Sequence, residues 1–229
     1  MMELQGRRVL LSGGSQGVGV YIAKTLSRAG AKVALLARSE DKLRDVANHL
    51  PSEALVCAAD LTEPISLKQA VQQVEQAWGG IDVLVNNAVN YEEQDFLEVT
   101  PHEWTERVNV SLRGPYFLTQ AVLPYMLAEG RGDVISIGAS VVQKSVANGS
   151  LSEYAASKGG LIGFMRALRD EYEQRGIRFS VINPGWIYKG ETAEKHKKQV
   201  HAEEVARTVL FLATLSPGHV IRELTLETP

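Results

Sequence analysis

The segment Arg8-Val9-Leu10-Leu11-Ser12-Gly13-Gly14-Ser15-Gln16-Gly17-Val18-Gly19 carries a short apolar strand, a glycine-rich turn and the start of a helix. The helical pattern runs from about Val18 to Arg28, and Gly30 stands where a helix-ending glycine belongs. Glycines in such a turn let the chain reverse tightly, let backbone N–H groups approach a phosphate, and let helix pack on strand. The positive end of the helix dipole then faces the same point. A glycine-rich turn by itself is a weak signal. Its place between a first strand and a first helix gives it weight.

The rest of the chain repeats that order. Lys32-Val33-Ala34-Leu35-Leu36 reads as a second strand, with a polar helix through Lys42, Leu43, Val46 and Leu50. Ala54-Leu55-Val56 makes a third strand, Ile65 to Trp78 a third helix, and Ile81 to Val85 a uniformly apolar fourth strand. A long helix is predicted from Pro101, a favoured first-turn residue, to Leu127. Strand Asp133–Ile137, helix Ser152–Gln174 and strand Phe179–Ile182 follow, then helix Glu203–Leu215 and a last strand Ile221–Leu226. Uniformly apolar strands alternating with amphipathic helices mean a parallel sheet covered on both faces. The fold class is α/β, a Rossmann-like doubly wound sheet. No Pro/Gly/Ser-rich linker divides it, so residues 1–229 read as one domain.

Composition narrows the function classes. The 229 residues are 45% hydrophobic and 22% charged, ordinary for a globular chain, and the net charge of -3 gives no reason to expect nucleic acid or an anionic membrane. There is no apolar run of membrane-spanning length and no signal-like N-terminus, so the expected location is cytoplasmic. The single cysteine, Cys57, fits a reducing compartment and reads as a small buried residue at a strand end. The five histidines lie apart, and no metal is expected.

The spacing Gly13-x-x-x-Gly17-x-Gly19 resembles the short-chain dehydrogenase/reductase family, whose motif is Thr-Gly-x-x-x-Gly-x-Gly; Ser12 keeps the hydroxyl. Asp60-Leu61 resembles the family's adenine-contacting segment, and Asn86-Asn87-Ala88 its Asn-Asn-Ala-Gly, with Val89 at the glycine. Asn183-Pro184-Gly185-Trp186-Ile187 resembles its Pro-Gly motif beside the nicotinamide. The resemblance implies a dinucleotide held by Gly13, Ser15, Gly17, Gly19, Asp60, Leu61, Asn87, Pro184, Gly185 and Ile187. Lys189 stands at the usual threonine, for which Thr192 is a substitute.

Coenzyme choice follows from charge. An acid at the end of the second strand accepts from the ribose 2′-OH of NAD and repels a 2′-phosphate. Here Ala37 is followed by Arg38, whose guanidinium suits a phosphate, and the expected cofactor is NADP(H).

Tyr154-Ala155-Ala156-Ser157-Lys158 puts a phenol and an ammonium one helical turn apart on one face, and it matches the family's Tyr-x-x-x-Lys. Hydride reduction of a carbonyl leaves an alkoxide that needs a proton, and a phenol tuned by a nearby cation can supply it. By resemblance Lys158 also holds the nicotinamide ribose. A hydroxyl donor to the substrate oxygen is expected from Ser140, although alignment on Ile137 puts the family's serine at Ala139, so that Ser140 needs a bulge to serve. Asn109, in Val108-Asn109-Val110, matches the family's helix asparagine, whose amide would stabilise a kink and a water leading to Lys158.

Residues 186–200 are expected to form a lid over the substrate, polar and carrying Lys189, Lys195, Lys197 and Lys198, with Trp186 and Tyr188 as pocket walls or core residues. The resemblance further implies a homodimer or homotetramer through the two long helices. The function expected is an NADPH-dependent oxidoreductase interconverting a ketone or aldehyde and an alcohol. Two alternatives stay open. One is an NADP(H)-binding sensor or scaffold with weak or no turnover, which Val89, Lys189 and the serine position favour. The other is an NAD-dependent alcohol dehydrogenase, which Arg38 disfavours.

Overall fold

The computed structural model describes residues 3–143, 151–188 and 199–229. Its elements, in chain order, are β1 (Arg8–Ser12), α1 (Val18–Arg28), β2 (Lys32–Ala37), α2 (Glu40–Asn48), β3 (Ala54–Ala58) and α3 (Pro64–Trp78). They continue with β4 (Val83–Asn86), α4 (Pro101–Val108), α5 (Gly114–Glu129), β5 (Gly132–Ile137) and α6 (Ser152–Tyr172). Last come β6 (Ile177–Pro184), β7 (Ile187–Tyr188), β8 (Val200–His201), α7 (Ala202–Ala213) and β9 (Glu223–Leu226).

Seven strands form one parallel sheet in the order β3-β2-β1-β4-β5-β6-β9. The chain winds to one side through β3, then returns to pair β4 with β1, Leu11 opposite Val85. The crossovers therefore leave in opposite directions from β1 and β4, and a crevice opens at their C-terminal ends.

The period-two alternation of the strands divides the core. Leu10, Leu84, Val134 and Phe179 face α3, α5 and α6 on one side. Val9, Leu11, Val83, Val85 and Ile135 face α1 and α7 on the other. Cys57 is fully buried at the end of β3, and burial pushes its thiol up to about 12. The opposite, N-terminal edge of the sheet is laced by ion pairs. Arg8 bonds Asp82 at 2.9 Å, and Arg7 and Arg178 both bond Asp133.

The long helix predicted over 101–127 is instead two α-helices joined by a π-helical turn, Asn109–Arg113. Pro115 has no N–H to give Ser111, four residues back, so the regular ladder cannot cross this point. The Gly114 N–H reaches Asn109 O instead. Gly114 also lies against Leu61: a Cβ there would come within 3.0 Å of Leu61 Cβ.

Candidate active site

At the C-terminal ends of the strands lies a cleft of about 1230 Å³. The glycine turn forms its floor. Gly13 and Gly17 take positive φ angles, 70° and 61°, which side chains rarely adopt. Gly19 is not on the cleft wall but packs the helix onto the turn, and an added Cβ would lie 2.0 Å from Gly13 O.

Ser12 binds the turn to β4. Its hydroxyl donates to Val85 O (3.3 Å) and accepts from Asn87 N (3.1 Å) and Ala88 N (3.3 Å), which uses all its capacity. The Asn87 amide answers by donating to Ser12 O at 3.1 Å and Gly13 O at 3.3 Å.

One end of the cleft is lined by Ser15, Arg38, Asp60 and Leu61. Asp60 is fixed there by accepting from the backbone and hydroxyl of Thr62 at 2.8 and 2.9 Å. Ser39 and Lys42 line the same wall as Arg38, a second cation that the sequence reading passed over. Lys42 falls in the first turn of α2, and nothing in its sequence neighbours distinguishes it from a solvated helix lysine.

The other end holds Tyr154 and Lys158, both on α6, with Ser140, Pro184, Gly185 and Ile187 around them. Lys158 is buried and donates from Nζ to Ile137 O at 2.7 Å, the last residue of β5. Burial pulls its ammonium down to about 8. Its Nζ lies 5.8 Å from the centre of the Tyr154 ring. The expected lowering of the phenol by this cation does not appear. Burial dominates and pushes Tyr154 up to about 12.

After β5, Ala139 is extended and Ser140 opens a 3-10 turn, Ser140–Val142. This places Ser140 Oγ on the cleft wall 3.9 Å from where a Cβ of Gly185 would stand. Asn109 opens the π turn and also lines the cleft. In that turn it is Ser111, not singled out in the sequence, that holds the neighbouring loop. Its hydroxyl bonds both the N–H and the C=O of Asn90 at 3.3 Å.

Two more groups escaped the sequence reading. Tyr91 packs its ring against Tyr154, centroids 4.8 Å apart, and meets Trp186 edge-on at 6.4 Å. Arg107 is buried on α4 and donates to Glu153 at 2.6 Å, to Gln94 at 2.7 Å and to Glu92 at 3.3 Å. The only signal in the sequence was Glu103 one turn before Arg107, an ordinary surface spacing.

Most of the lid expected over residues 186–200, including Lys189, Thr192, Lys195, Lys197 and Lys198, lies outside the described residues. Its flanks do not: Ile187 pairs with Val200 and Tyr188 with His201 in a two-stranded parallel sheet. Among the described residues no group of His, Cys, Asp and Glu could hold a metal ion, and no helix is long and apolar enough to cross a membrane.

A family model described as "short chain dehydrogenase" matches residues 7–200. A 3-oxoacyl-(acyl-carrier-protein) reductase, FabG of Escherichia coli, is 30% identical over 97% of this chain and 96% of its own. Among solved structures, a metagenomic short-chain oxidoreductase in complex with NADP superposes with a TM-score of 0.87 at 33% identity, covering 99% of both chains. A 3-ketoacyl-(acyl-carrier-protein) reductase of Brucella melitensis complexed with NADH gives a TM-score of 0.87 at 25% identity, over 98% of both chains.

Proposed function

The chain belongs to the short-chain dehydrogenase family, and on that premise we propose that it is an NADP(H)-dependent oxidoreductase interconverting a ketone or aldehyde and an alcohol. The observation that carries this reading is the placement of Tyr154 and Lys158 at one end of a cleft whose other end offers Arg38, Ser39 and Lys42. A dinucleotide suits that span. Its pyrophosphate fits the floor, where Gly13 and Gly17 leave room for phosphate oxygens and α1 presents its N-terminus. Asp60 and Leu61 border the adenine position, and Asn87, Pro184, Gly185 and Ile187 the nicotinamide position. The two cations beside Ala37 favour a 2′-phosphate, in keeping with the NADP held by the metagenomic relative.

When bound, the reduced nicotinamide supplies the hydride. The carbonyl carbon gains a C–H bond, the carbonyl π pair moves to oxygen, and the Tyr154 O–H gives that oxygen its proton. A phenol pushed up to about 12 is protonated throughout the neutral range, which is the donor state that reduction needs. Lys158, held by Ile137 O, keeps an ammonium below about pH 8 at 5.8 Å from the centre of the Tyr154 ring. Ser140 is the candidate donor to the substrate oxygen from the side of Gly185, and Asn109 the candidate for holding a water on the path to Lys158. The test is NADPH oxidation against a panel of ketones, aldehydes and 3-oxoacyl thioesters, with Tyr154→Phe as the control.

Self-association through α5 and α6 belongs to the same reading. Tyr116 of α5 stacks on Phe164 of α6 at 5.1 Å yet stays about half exposed, as does Trp104 of α4. Aromatic surface of this kind favours burial against a second copy, and light scattering should give a dimer or tetramer.

A further inference from the structure

Tyr91 is held on both sides by its chain neighbours. Asn90 before it is fixed through both backbone groups by the buried Ser111 hydroxyl. Glu92 after it is bonded by the buried Arg107, which also bonds Glu153, the residue immediately before Tyr154. The Tyr91 hydroxyl is in turn committed to Glu93 at 2.9 Å. The ring therefore stands as a fixed wall against the Tyr154 ring, while 37% of the residue remains exposed to the cleft. Trp186, 46% exposed, meets it at an interplanar angle of 61°. Both rings line the cleft beside the candidate proton donor and keep exposed surface there, on which a flat aromatic group can pack.

We propose that Tyr91 and Trp186 select the substrate, and that it is a carbonyl compound bearing a flat aromatic substituent. The inference rests on the carbonyl-reduction reading above and adds a substrate class to it.

The experiment compares kcat/KM for two neutral ketones of the same shape class, methyl phenyl ketone and methyl cyclohexyl ketone, together with a 3-oxoacyl thioester, in the NADPH-loaded protein. Conjugation makes the phenyl ketone the less reactive of the pair, so a preference for it has to come from the protein. The expected result is a five- to tenfold preference for the phenyl ketone, about the size of one aromatic pair, carried mainly by KM. Tyr91→Leu and Trp186→Leu should each bring the ratio near one while NADPH binding, followed by nicotinamide fluorescence, persists. The Trp186 variant leaves the Tyr91–Tyr154 contact in place and so guards against simple disruption of the phenol. Turnover with no phenyl preference, or a preference that survives both variants, overturns this inference and leaves carbonyl reduction standing. NADPH binding without turnover of any of the three compounds overturns both.

Discussion

Arg107 donates to Glu153 across 2.6 Å, with both side chains buried, and so ties α4 to the first turn of α6 one residue before Tyr154. The same guanidinium reaches Gln94 and Glu92 on the loop after β4. One buried cation thus fixes the relation between that loop and the helix carrying Tyr154 and Lys158.

Removing one partner of such a pair leaves the other charge stranded in a dry site. Arg107→Met should cost about 3–5 kcal/mol in denaturant unfolding, far more than an exposed pair such as Arg207 with Glu203. Replacing both, Arg107→Met with Glu153→Leu, should restore a large part of the loss. If the double variant is as unstable as the single, the pair is not what holds this corner.

Lys158 sets stability against function. Its ammonium is pulled from 10.5 down to about 8 by burial, so keeping it charged in the fold costs up to about 3 kcal/mol at neutral pH. Lys158→Met should therefore raise the unfolding midpoint, less what is lost at Ile137 O, while abolishing turnover. The sign with pH follows from proton counting. Between about pH 8 and 10.5 the unfolded chain holds the proton and the folded chain does not, so this group makes stability rise with pH across that window. A Lys158→Met variant that keeps the same upward slope would show that the slope has another source.

Coenzyme choice should reside in the wall beside Ala37. Arg38→Asp removes a cation and installs an acid aimed at the 2′ position, and should shift the ratio of NADPH to NADH activity toward NADH by at least about tenfold, one charge-assisted contact's worth. Lys42→Ala should shift it in the same direction by less. An unchanged ratio in the Arg38 variant would remove the assignment.

Gly19 tests the turn. A Cβ there would stand 2.0 Å from Gly13 O, so Gly19→Ala should displace the floor of the cleft and weaken NADPH binding by an order of magnitude or more. Titration by nicotinamide fluorescence reads this, and tight binding in the variant would mean that the turn moves freely.

The sheet was legible because its strands are uniformly apolar and its helices are punctuated. The run around Val9 and Leu10, the turn from Gly13 to Gly19, and Pro101 as a first-turn residue all act locally, and they fall as read. The resemblance implied a kink at Asn109, where the π turn begins, but the division into two helices was not legible, because the loss of a single N–H at Pro115 does not break the helical periodicity around it. Tyr154 and Lys158 could be placed together from the sequence because they lie one turn apart on one helix. Tyr91, Ser111 and Arg107 could not, since what they do depends on partners at Tyr154, Asn90 and Glu153, supplied by different segments. The environment of Tyr154 was likewise hidden: the sequence displays the cation at Lys158 but not the burial that pushes the phenol up.

The measurement to make first is single-turnover oxidation of NADPH with a reducible ketone by the intact protein and by Tyr154→Phe. The account predicts turnover in the first, and in the second a fall of at least about a hundredfold, the scale of one general-acid step, with NADPH binding kept. Equal turnover in the two proteins would contradict it, because the proton would then reach the substrate oxygen from somewhere other than Tyr154.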